Sequence, residues 1–337
     1  LNPDLRPEQV TSTEFGLELV MFNNRLNLDI SVYDISTTDL IFNVPVPAAT
    51  GYQFFKQNVG EVNNKGFEVT IGGRPIQSGK FVWDTSLNFA RNDNYLVSLI
   101  DDVESFAYLN SNSGDLQLRA QVGGSIGDIY GTVWETNDSG QNLVTAEGLH
   151  VISPADNLLG NAEPNFIGGW SNVFRYDNIS LSLQIDGRFG GEFYSMTARD
   201  LDVNGVSAAS LQYRDGVTLS GTNTGTGGAN NVAITGQQYW SSQSGIAENY
   251  VYDQTNVRLR EVALGYQIPN TERFGVENAS IQLIGRNLFF ITKDSRGGTG
   301  FGFDPENMLG TTIGAQGYQS YAAPSIRSVG VNLTLNF

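Results

Sequence analysis

The sequence predicts an all-β fold, and within that class a transmembrane antiparallel β-barrel. Apolar and polar residues alternate over segments about twice as long as an ordinary strand, and the connections between these segments fall into a short and a long class. A strand of about ten alternating residues has one apolar face for lipid and one polar face for a lumen. Short turns at one end and long loops at the other are typical of a bacterial outer-membrane barrel.

Composition supports this fold and excludes several functions. Of 337 residues, 39 are Gly, 11% are aromatic and only 16% are charged. The net charge of −16 argues against a nucleic-acid partner, because phosphate binding needs a basic face. There is no Cys and one His, His150, so thiol chemistry and a two-His metal site are excluded. The chain has no apolar run long enough for a membrane helix, and its N-terminus has no signal-peptide pattern.

The alternating segments define the predicted strands. The clearest is the one from Ile179, where Leu181, Leu183 and Ile185 share a face. Between 256 and 269 the apolar phase slips by one residue, which predicts a β-bulge or a strand that ends and restarts. The predicted strands are about 11–22, 25–38, 63–74, 80–92, 115–135, 143–152, 166–177, 178–190, 255–268, 278–292 and 325–337.

The connections and the strand count indicate how much of a barrel is present. The predicted long loops are about 39–62, 94–114, 152–164, 191–254 and 294–324, and the low-complexity run 220–231 is predicted to be a mobile loop. Eleven strands is an odd number, whereas complete single-chain bacterial barrels have even numbers. We therefore expect the C-terminal part of a larger barrel, with the alternating strand that ends at Phe337 as its last strand.

Seven motifs make this chain resemble the SusC/RagA-type TonB-dependent outer-membrane transporters of Bacteroidetes. Their order and spacing together carry the resemblance more than any single motif does. The motifs are LRPEQVTSTEFGLE (5–18), NVGEVNNKGFE (58–68), GNAEPNFIGGW (160–170), DGRFGG (186–191), NVRLREVALGYQIP (256–269), GRNLF (285–289) and PSIRSVGVNLTLNF (324–337). The resemblance runs almost from end to end, over residues 1–337.

The resemblance implies a nutrient importer in the outer membrane. It implies a 22-stranded barrel closed by a plug domain, of which this chain holds the last eleven or so strands but neither the plug nor the TonB box. A SusD-like surface lipoprotein would capture an oligosaccharide or oligopeptide, and TonB–ExbB–ExbD would drive uptake. Contact with membrane lipid and lipopolysaccharide, a dimer of transporter–lid pairs, and no enzymatic activity are also implied.

Aromatic and charged residues in the long loops and strands are the candidate site. Flat apolar rings edged by polar groups could stack on sugars or peptides, although they could equally pack the loops together. These aromatic candidates are Tyr194, Tyr239, Trp240, Tyr250, Tyr252, Phe301 and Phe303. Arg258 and Arg260 flank the predicted bulge and are expected to face the lumen, paired with a carboxylate such as Asp186 or Glu261.

Two motifs suggest other chemistry. Asp200, Asp202 and Asn204 match the opening of a calcium loop, so a Ca²⁺ ion in an extracellular loop is the only cofactor expected, but the twelfth position is Leu211 instead of Glu. GGSIG (123–127) matches a serine-hydrolase elbow, with His150 downstream, but the following residues read as strand where that elbow needs a helix.

Two alternative functions stay open at this point. A small outer-membrane enzyme of the omptin type would need an Asp–His dyad, for which only His150 is available. A soluble carbohydrate-binding β-sandwich shares the two-residue period, but its strands should be shorter.

Overall fold

The computed structural model describes residues 2–46, 48–52, 54–100, 103–111, 113–293, 304–310 and 316–337. Two short α-helices and four single 3₁₀ turns interrupt a structure made mainly of strands. The strands are β1 (Gln9–Met21), β2 (Leu26–Thr38), β3 (Ile41–Pro45), β4 (Phe54–Asn58), β5 (Gly60–Ser78), β6 (Phe81–Leu99), β7 (Ser105–Asn110), β8 (Leu116–Gln121), β9 (Asp128–Gly131), β10 (Leu143–Val144), β11 (Asn157–Asn161), β12 (Phe166–Tyr176), β13 (Ile179–Phe189), β14 (Glu192–Ser195), β15 (Val217–Thr218), β16 (Thr222–Asn223), β17 (Ala233–Ile234), β18 (Val251–Asp253), β19 (Asn256–Ile268), β20 (Asn278–Lys293), β21 (Tyr318–Gln319) and β22 (Ser328–Asn336). The helices are α1 (Met196–Val203) and α2 (Gly236–Gln243), and the 3₁₀ turns are Ala48–Thr50, Ala209–Leu211, Ala247–Tyr250 and Thr271–Phe274.

One large antiparallel sheet organises the described residues. Its nine strands follow the order β1-β2-β5-β6-β12-β13-β19-β20-β22, so each pairs with the next large-sheet strand along the chain. Tight turns close one end; Phe22, Asn23 and Asn24 all have positive φ angles, as does Asp177. At the other end the connections are long and form small sheets of their own. This arrangement confirms the predicted all-β barrel class and its two kinds of connection.

The sheet has one apolar and one polar face because its strands are in register. One row across eight neighbouring strands is wholly apolar, and its members are Leu19, Leu28, Ile71, Leu87, Trp170, Ile185, Leu259 and Phe289. The adjacent row lies on the opposite face and is largely polar; it consists of Glu18, Asp29, Thr70, Asn88, Gly169, Asp186, Arg258 and Phe290. The apolar face is the lipid face of the predicted barrel, and the polar face is its lumen wall.

Aromatic rings mark two levels on the lipid face. Phe67, Phe89, Phe166 and Phe189 stack across four strands, with ring centroids 5.6, 5.0 and 4.5 Å apart. Nearer the tight turns, Trp83 stacks on Phe174 at 5.8 Å. The eight steps from Phe166 to Phe174 extend about 26 Å along β12, or about 20 Å in height at the usual strand tilt. This height is close to that of the apolar band between the aromatic girdles of outer-membrane barrels.

A polar group on the lipid face is hidden by its neighbours. Asn172 is only 2% exposed, although it lies on the same face as Trp170 and Phe174. Its Oδ1 accepts hydrogen bonds from Trp83 Nε1 at 3.0 Å and from Thr85 Oγ1 at 2.9 Å. Because an unsatisfied polar group in hydrocarbon costs several kcal/mol, this closed network lets an amide lie within the membrane band.

The expected strand count was wrong by two. The segments 115–135 and 143–152 are not part of the large sheet, and β6 pairs directly with β12 across the whole excursion between them. Segment 115–135 instead forms β8 and β9, of six and four residues, in a four-stranded sheet with β7 and β11. Strands this short cannot cross a bilayer, which needs about nine to eleven residues. Among the described residues the large sheet therefore has nine strands, which is still an odd number.

The long loops fold together into a cap module, defined here as the described residues of 103–164, 191–254 and 304–324. Its main apolar core joins all three segments, since Leu118 and Ile129 pack with Tyr194, Tyr250 and Tyr318. β14 pairs with β21 in parallel, which ties the second segment to the third. The cap module therefore has a core separate from the apolar lipid face.

The low-complexity run 220–231 is an ordered part of the cap module, contrary to the expectation of a mobile loop. Thr222 and Asn223 pair in parallel with Leu143 and Val144. The Asn223 side chain is 2% exposed, and its Nδ2 donates to Thr145 O at 3.0 Å. Small polar residues thus fold here through hydrogen bonds instead of apolar burial.

The helices are minor elements of the cap module. α1 and α2 have eight residues each, and their N-caps, Ser195 and Thr235, accept hydrogen bonds from backbone N–H groups of the first turn. Within the described ranges, no helix combines the length and the apolar character that a membrane crossing requires.

The two faces predict opposite responses to one charged substitution. In Ile71→Arg the guanidinium would face lipid near mid-height, and we expect the sheet to lose about 2–4 kcal/mol of stability. In Thr70→Arg, on the neighbouring lumen-facing position, the loss should be below about 1 kcal/mol. Denaturant unfolding of the full-length protein in lipid vesicles measures both. Equal losses would contradict the assignment of the two faces.

Candidate functional site at the mouth of the lumen

A β-bulge in β19 sets the geometry of the site. Ile185 lies opposite Leu259 and Gln184 lies opposite Glu261, so Arg260 is an extra residue without a partner in β13. The register of β19 with β20 shifts at the same place. This confirms the bulge predicted from the phase slip. A bulge re-aims side chains, and here Arg260 joins Arg258 on the lumen wall.

Five charged side chains, which we call the lumenal charge cluster, surround this bulge: Asp186, Arg258, Arg260, Asp304 and Glu306. Arg260 contacts Asp186 Oδ2 at 2.7 Å and Glu306 Oε1 at 2.6 Å. Arg258 contacts Glu306 Oε2 at 2.7 Å and Asp304 Oδ2 at 3.4 Å. Glu306 therefore bridges both arginines. The expected pairing of Arg260 with Asp186 is present, whereas Glu261 pairs with Arg286 at 2.7 Å.

The lumenal charge cluster fastens residues 304–310 to the lumen wall. The side chains of Arg258 and Asp304 are only 4% and 5% exposed. The guanidinium of Arg258 also lies 4.2 Å above the Phe290 ring. Asn307 Nδ2 donates to the backbone oxygens of Ala322 and Ala323, at 2.8 and 2.7 Å, and so joins residues 304–310 to the chain before β22. A buried pair of this kind is costly to break, because the remaining charge has no partner.

A cavity of about 460 Å³ lies between the lumen wall and the cap module, beside the cluster. Its polar lining includes Glu68, Glu163, Arg188, Gln254 and Glu306. Burial, together with the neighbouring Asp128 carboxylate, raises the pKa of Glu163 to about 6. Gln254 is 1% exposed and donates from Nε2 to Glu192 O at 3.2 Å, but among the described residues its Oε1 has no donor.

The aromatic candidates pack the cap module in this structure. Tyr250 and Tyr194 are 1% exposed, and Trp240 and Tyr252 are 8% exposed, so they offer little surface to a ligand. Tyr239 is partly exposed, and its ring makes tilted or edge-to-face contacts with Tyr213, Trp240 and His150. Phe301 and Phe303 lie outside the described residues. Of the two roles that the sequence left open, these contacts favour loop packing, while substrate stacking stays a prediction for Tyr239.

The calcium motif lies on α1, and its side chains point to different partners. Asp200 pairs with Arg199 at 2.9 Å and accepts from the Tyr321 hydroxyl, whereas Asp202 accepts from Ser207. Asn204 caps the helix, donating from its side chain to the Asp200 carbonyl at 2.7 Å. In the described ranges no group of three or more His, Asp or Glu side chains is placed to hold a metal ion. The geometry therefore gives the calcium hypothesis no support.

The hydrolase motif is not assembled either. Ser125 Oγ accepts from Gly127 N at 3.0 Å, within a turn before β9. His150 instead contacts Ser242, with 2.6 Å between Nδ1 and Oγ. This contact is buried beside Trp134, and no described residue bonds His150 Nε2. A Ser–His–acid relay is thus absent from the described part of the chain. Instead, His150 joins the hairpin of residues 134–152 to α2.

Comparison with known proteins agrees with this architecture. Residues 1–121 match the family model "TonB dependent receptor-like, beta-barrel". Over its whole length the chain is 30% identical to TonB-dependent receptor P3 of Formosa agariphila, covering 35% of it. TonB-dependent receptor SusC of Bacteroides thetaiotaomicron is 23% identical, over 90% of this chain and 30% of SusC. The chain is thus similar to TonB-dependent receptors over its whole length, with SusC among them.

Solved structures show the same fold. The RagAB peptide transporter matches with a TM-score of 0.73 and 22% identity, over all of this chain and 36% of that one. The same importer in its open-open state matches with a TM-score of 0.67 and 19% identity. This receptor chain spans about a third of the length of the relatives it matches. The similarity to TonB-dependent receptors, together with the apolar face of the large sheet, indicates an integral protein of the bacterial outer membrane.

Sequence reasoning missed Asp304, Glu306 and Gln254. Glu306 lies 46 residues after Arg260, and nothing in the local pattern connects them. Gln254 is the last residue of the second segment of the cap module and precedes β19. The available signal for Glu306 was an excess of basic residues at the bulge, because two lumenal arginines need more than the single carboxylate of Asp186.

Removal of the bridging carboxylate should release the fastened segment. In Glu306→Gln, Arg258 keeps only the longer contact to Asp304, so we expect residues 304–310 to lose about 1–3 kcal/mol of local stability. Hydrogen–deuterium exchange should then be faster in this segment and unchanged in β12 and β13. Glu261→Gln is the matched control on the wall, because its partner Arg286 is well exposed. An equal effect of both variants would contradict the bridging role.

Acid should loosen the cap module through His150. Burial lowers its pKa to about 4 from 6.5, so folding favours the neutral ring. Stability from this preference is complete above pH 6.5 and is lost as the pH falls towards 4, by on the order of 2–3 kcal/mol. We expect limited proteolysis of residues 134–152 to be faster at pH 4.5 than at pH 7. His150→Gln should reduce this pH dependence; an unchanged profile would exclude His150 as its source.

Proposed function

We propose that this chain forms part of the barrel wall of an active importer. The importer carries an oligomer, either an oligosaccharide or an oligopeptide, across the outer membrane. The observation that carries the proposal is a polar lumen wall on which a loop segment is fastened by the lumenal charge cluster. A wall of this kind needs a polar passage behind it. The lipid face of the same strands needs a membrane in front of it.

Relatives supply the energy source and the partner for this proposal. TonB-dependent receptors match the whole chain, which supports uptake driven by TonB–ExbB–ExbD. The similarity to SusC and to the RagAB peptide importer supports a SusD-like lipoprotein as the lid of the barrel. It also supports a dimer of two transporter–lid pairs. RagAB imports peptides. For this chain we propose either oligosaccharide or oligopeptide as the cargo.

Uptake by whole cells tests the proposal. A strain without the full-length gene should accumulate labelled oligomers at least about tenfold more slowly than the complemented strain. Collapse of the proton gradient with an uncoupler should reduce the complemented strain to the same level. Separate assays with a labelled oligopeptide mixture and a labelled oligosaccharide mixture identify the cargo class. Uptake that persists at full rate without the gradient would show a passive pore instead.

The lumenal charge cluster provides a variant for the same assay. Arg260→Met removes the guanidinium that contacts Glu306 and Asp186 but keeps an unbranched side chain at position 260. We expect uptake to fall several-fold, because residues 304–310 then leave their position on the wall. Arg286→Met is the control on β20, where the arginine side chain is well exposed, and should keep wild-type uptake. Equal uptake by the wild type, Arg260→Met and Arg286→Met would show that transport does not depend on the lumenal charge cluster.

A further inference from the structure

Most of the negative charge of the chain lies in two of the long loops. Residues 100–164 and 191–254 hold sixteen acidic and three basic side chains, a net charge of −13 of the −16 for all 337 residues. The remaining strands and loops are therefore close to neutral. Charge of one sign over one end of a protein creates a field that extends beyond individual contacts.

The three basic residues leave most of these carboxylates unpaired. In the described parts of the two loops, ion pairs involve only Asp115, Asp156 and Asp200. Five exposed acidic residues have no ion pair among the described residues: Glu104, Asp138, Glu147, Asp215 and Glu248. Free surface carboxylates attract cations and repel anions over about 8–10 Å at physiological salt.

The cavity under the cap module adds an independent feature. Gln254 is buried to 1% exposure and lines the cavity, but its Oε1 accepts no hydrogen bond from the described residues. Its orientation is set by the Nε2 donor to Glu192 O. An unpaired buried acceptor costs about 1–3 kcal/mol, so a donor from a ligand would be favourable here.

The other polar groups of the cavity fit a donor-rich ligand. Glu68 and Glu163 contribute carboxylates, and no described residue forms an ion pair with either. Arg188 donates from Nη2 to Ala162 O at 2.6 Å, while its Nε has no acceptor among the described residues. Arg91 also lines the cavity, but its guanidinium pairs with Asp93 at 3.0 Å. The lining therefore offers several acceptors and, at Arg188 Nε, one unsatisfied donor. A protonated amine beside a carbonyl or hydroxyl oxygen satisfies both kinds of group.

We infer that the acidic cap module and the cavity at Gln254 select oligomers that carry protonated amines. Cationic oligomers are concentrated at the mouth by the charge of the two loops, and an ammonium group then binds among Gln254, Glu163 and Glu68. Lysine-containing peptides and glucosamine oligomers share this chemistry. The inference rests on the proposed import function, and it concerns which oligomers bind.

Binding to the full-length protein, purified with its partners from native membranes, tests the inference. The peptide arm compares tetralysine, tetraalanine and tetraglutamate, and the sugar arm compares the glucosamine tetramer with its N-acetylated form. In at least one arm the amine ligand should bind about tenfold more tightly than its uncharged or acidic counterpart at 50 mM salt, with a smaller margin at 300 mM. The arm that responds identifies the source of the amine.

Two outcomes overturn the inference in different ways. If neutral or acidic oligomers bind as well as the amines do, selection fails while the import function stands. If no oligomer binds and cellular uptake is also independent of the gene, both the inference and the proposed function fail.

Charge variants locate the effect. Glu147→Gln with Glu248→Gln removes two exposed cap carboxylates and should weaken amine binding about two- to fivefold at low salt. Glu272→Gln with Glu277→Gln makes the same change near the tight turns, where both residues are exposed, and should have no effect. Glu163→Gln tests the cavity and should weaken binding at both salt concentrations. Equal effects of the cap and turn variants would contradict selection by the cap module.

Discussion

The backbone of a strand in lipid has no water to bond, and this constraint governs the structure. Every N–H and C=O group in the membrane must pair with a neighbouring strand. The nine strands of the described sheet do this through antiparallel ladders, except along the outer edges of β1 and β22, which have no partner strand among the described residues. Once register is set in this way, side chains alternate strictly between lipid and lumen. The apolar row through Leu87 and the polar row through Asn88 are both results of that alternation.

Two polar or charged residues depart from the plain alternation of a barrel wall, and each has partners that compensate for it. At Arg260 one extra residue breaks the ladder and adds a cation to the lumen. At Asn172 the ladder is regular, but the amide on the lipid face is tolerated because one indole and one hydroxyl group donate hydrogen bonds to it. In both cases the cost of a polar or charged group is offset by partners from other strands or loops.

The sequence predicted the features that depend on local periodicity. Nine of its eleven strands, the bulge and the Arg260–Asp186 pair follow from alternation and phase. Segment 115–135 was misassigned because Leu116 and Leu118 alternate just as strongly in a small sheet with one face in a core. Period alone does not distinguish lipid from a protein core. The bridge from Glu306 to β19 joins residues far apart in sequence, so only tertiary structure reveals it.

The direct pairing of β6 with β12 has an evolutionary consequence. The two strands keep their ladder although residues 100–165 leave the sheet and return between them. Loop-closure entropy grows only slowly with length, so the register is nearly indifferent to what this excursion contains. Its core is separate from the membrane face but is shared with the other two segments of the cap module, so the three segments would have to change together. New cargo preferences could then arise by replacing the cap module, while the strands that anchor the protein stay as they are.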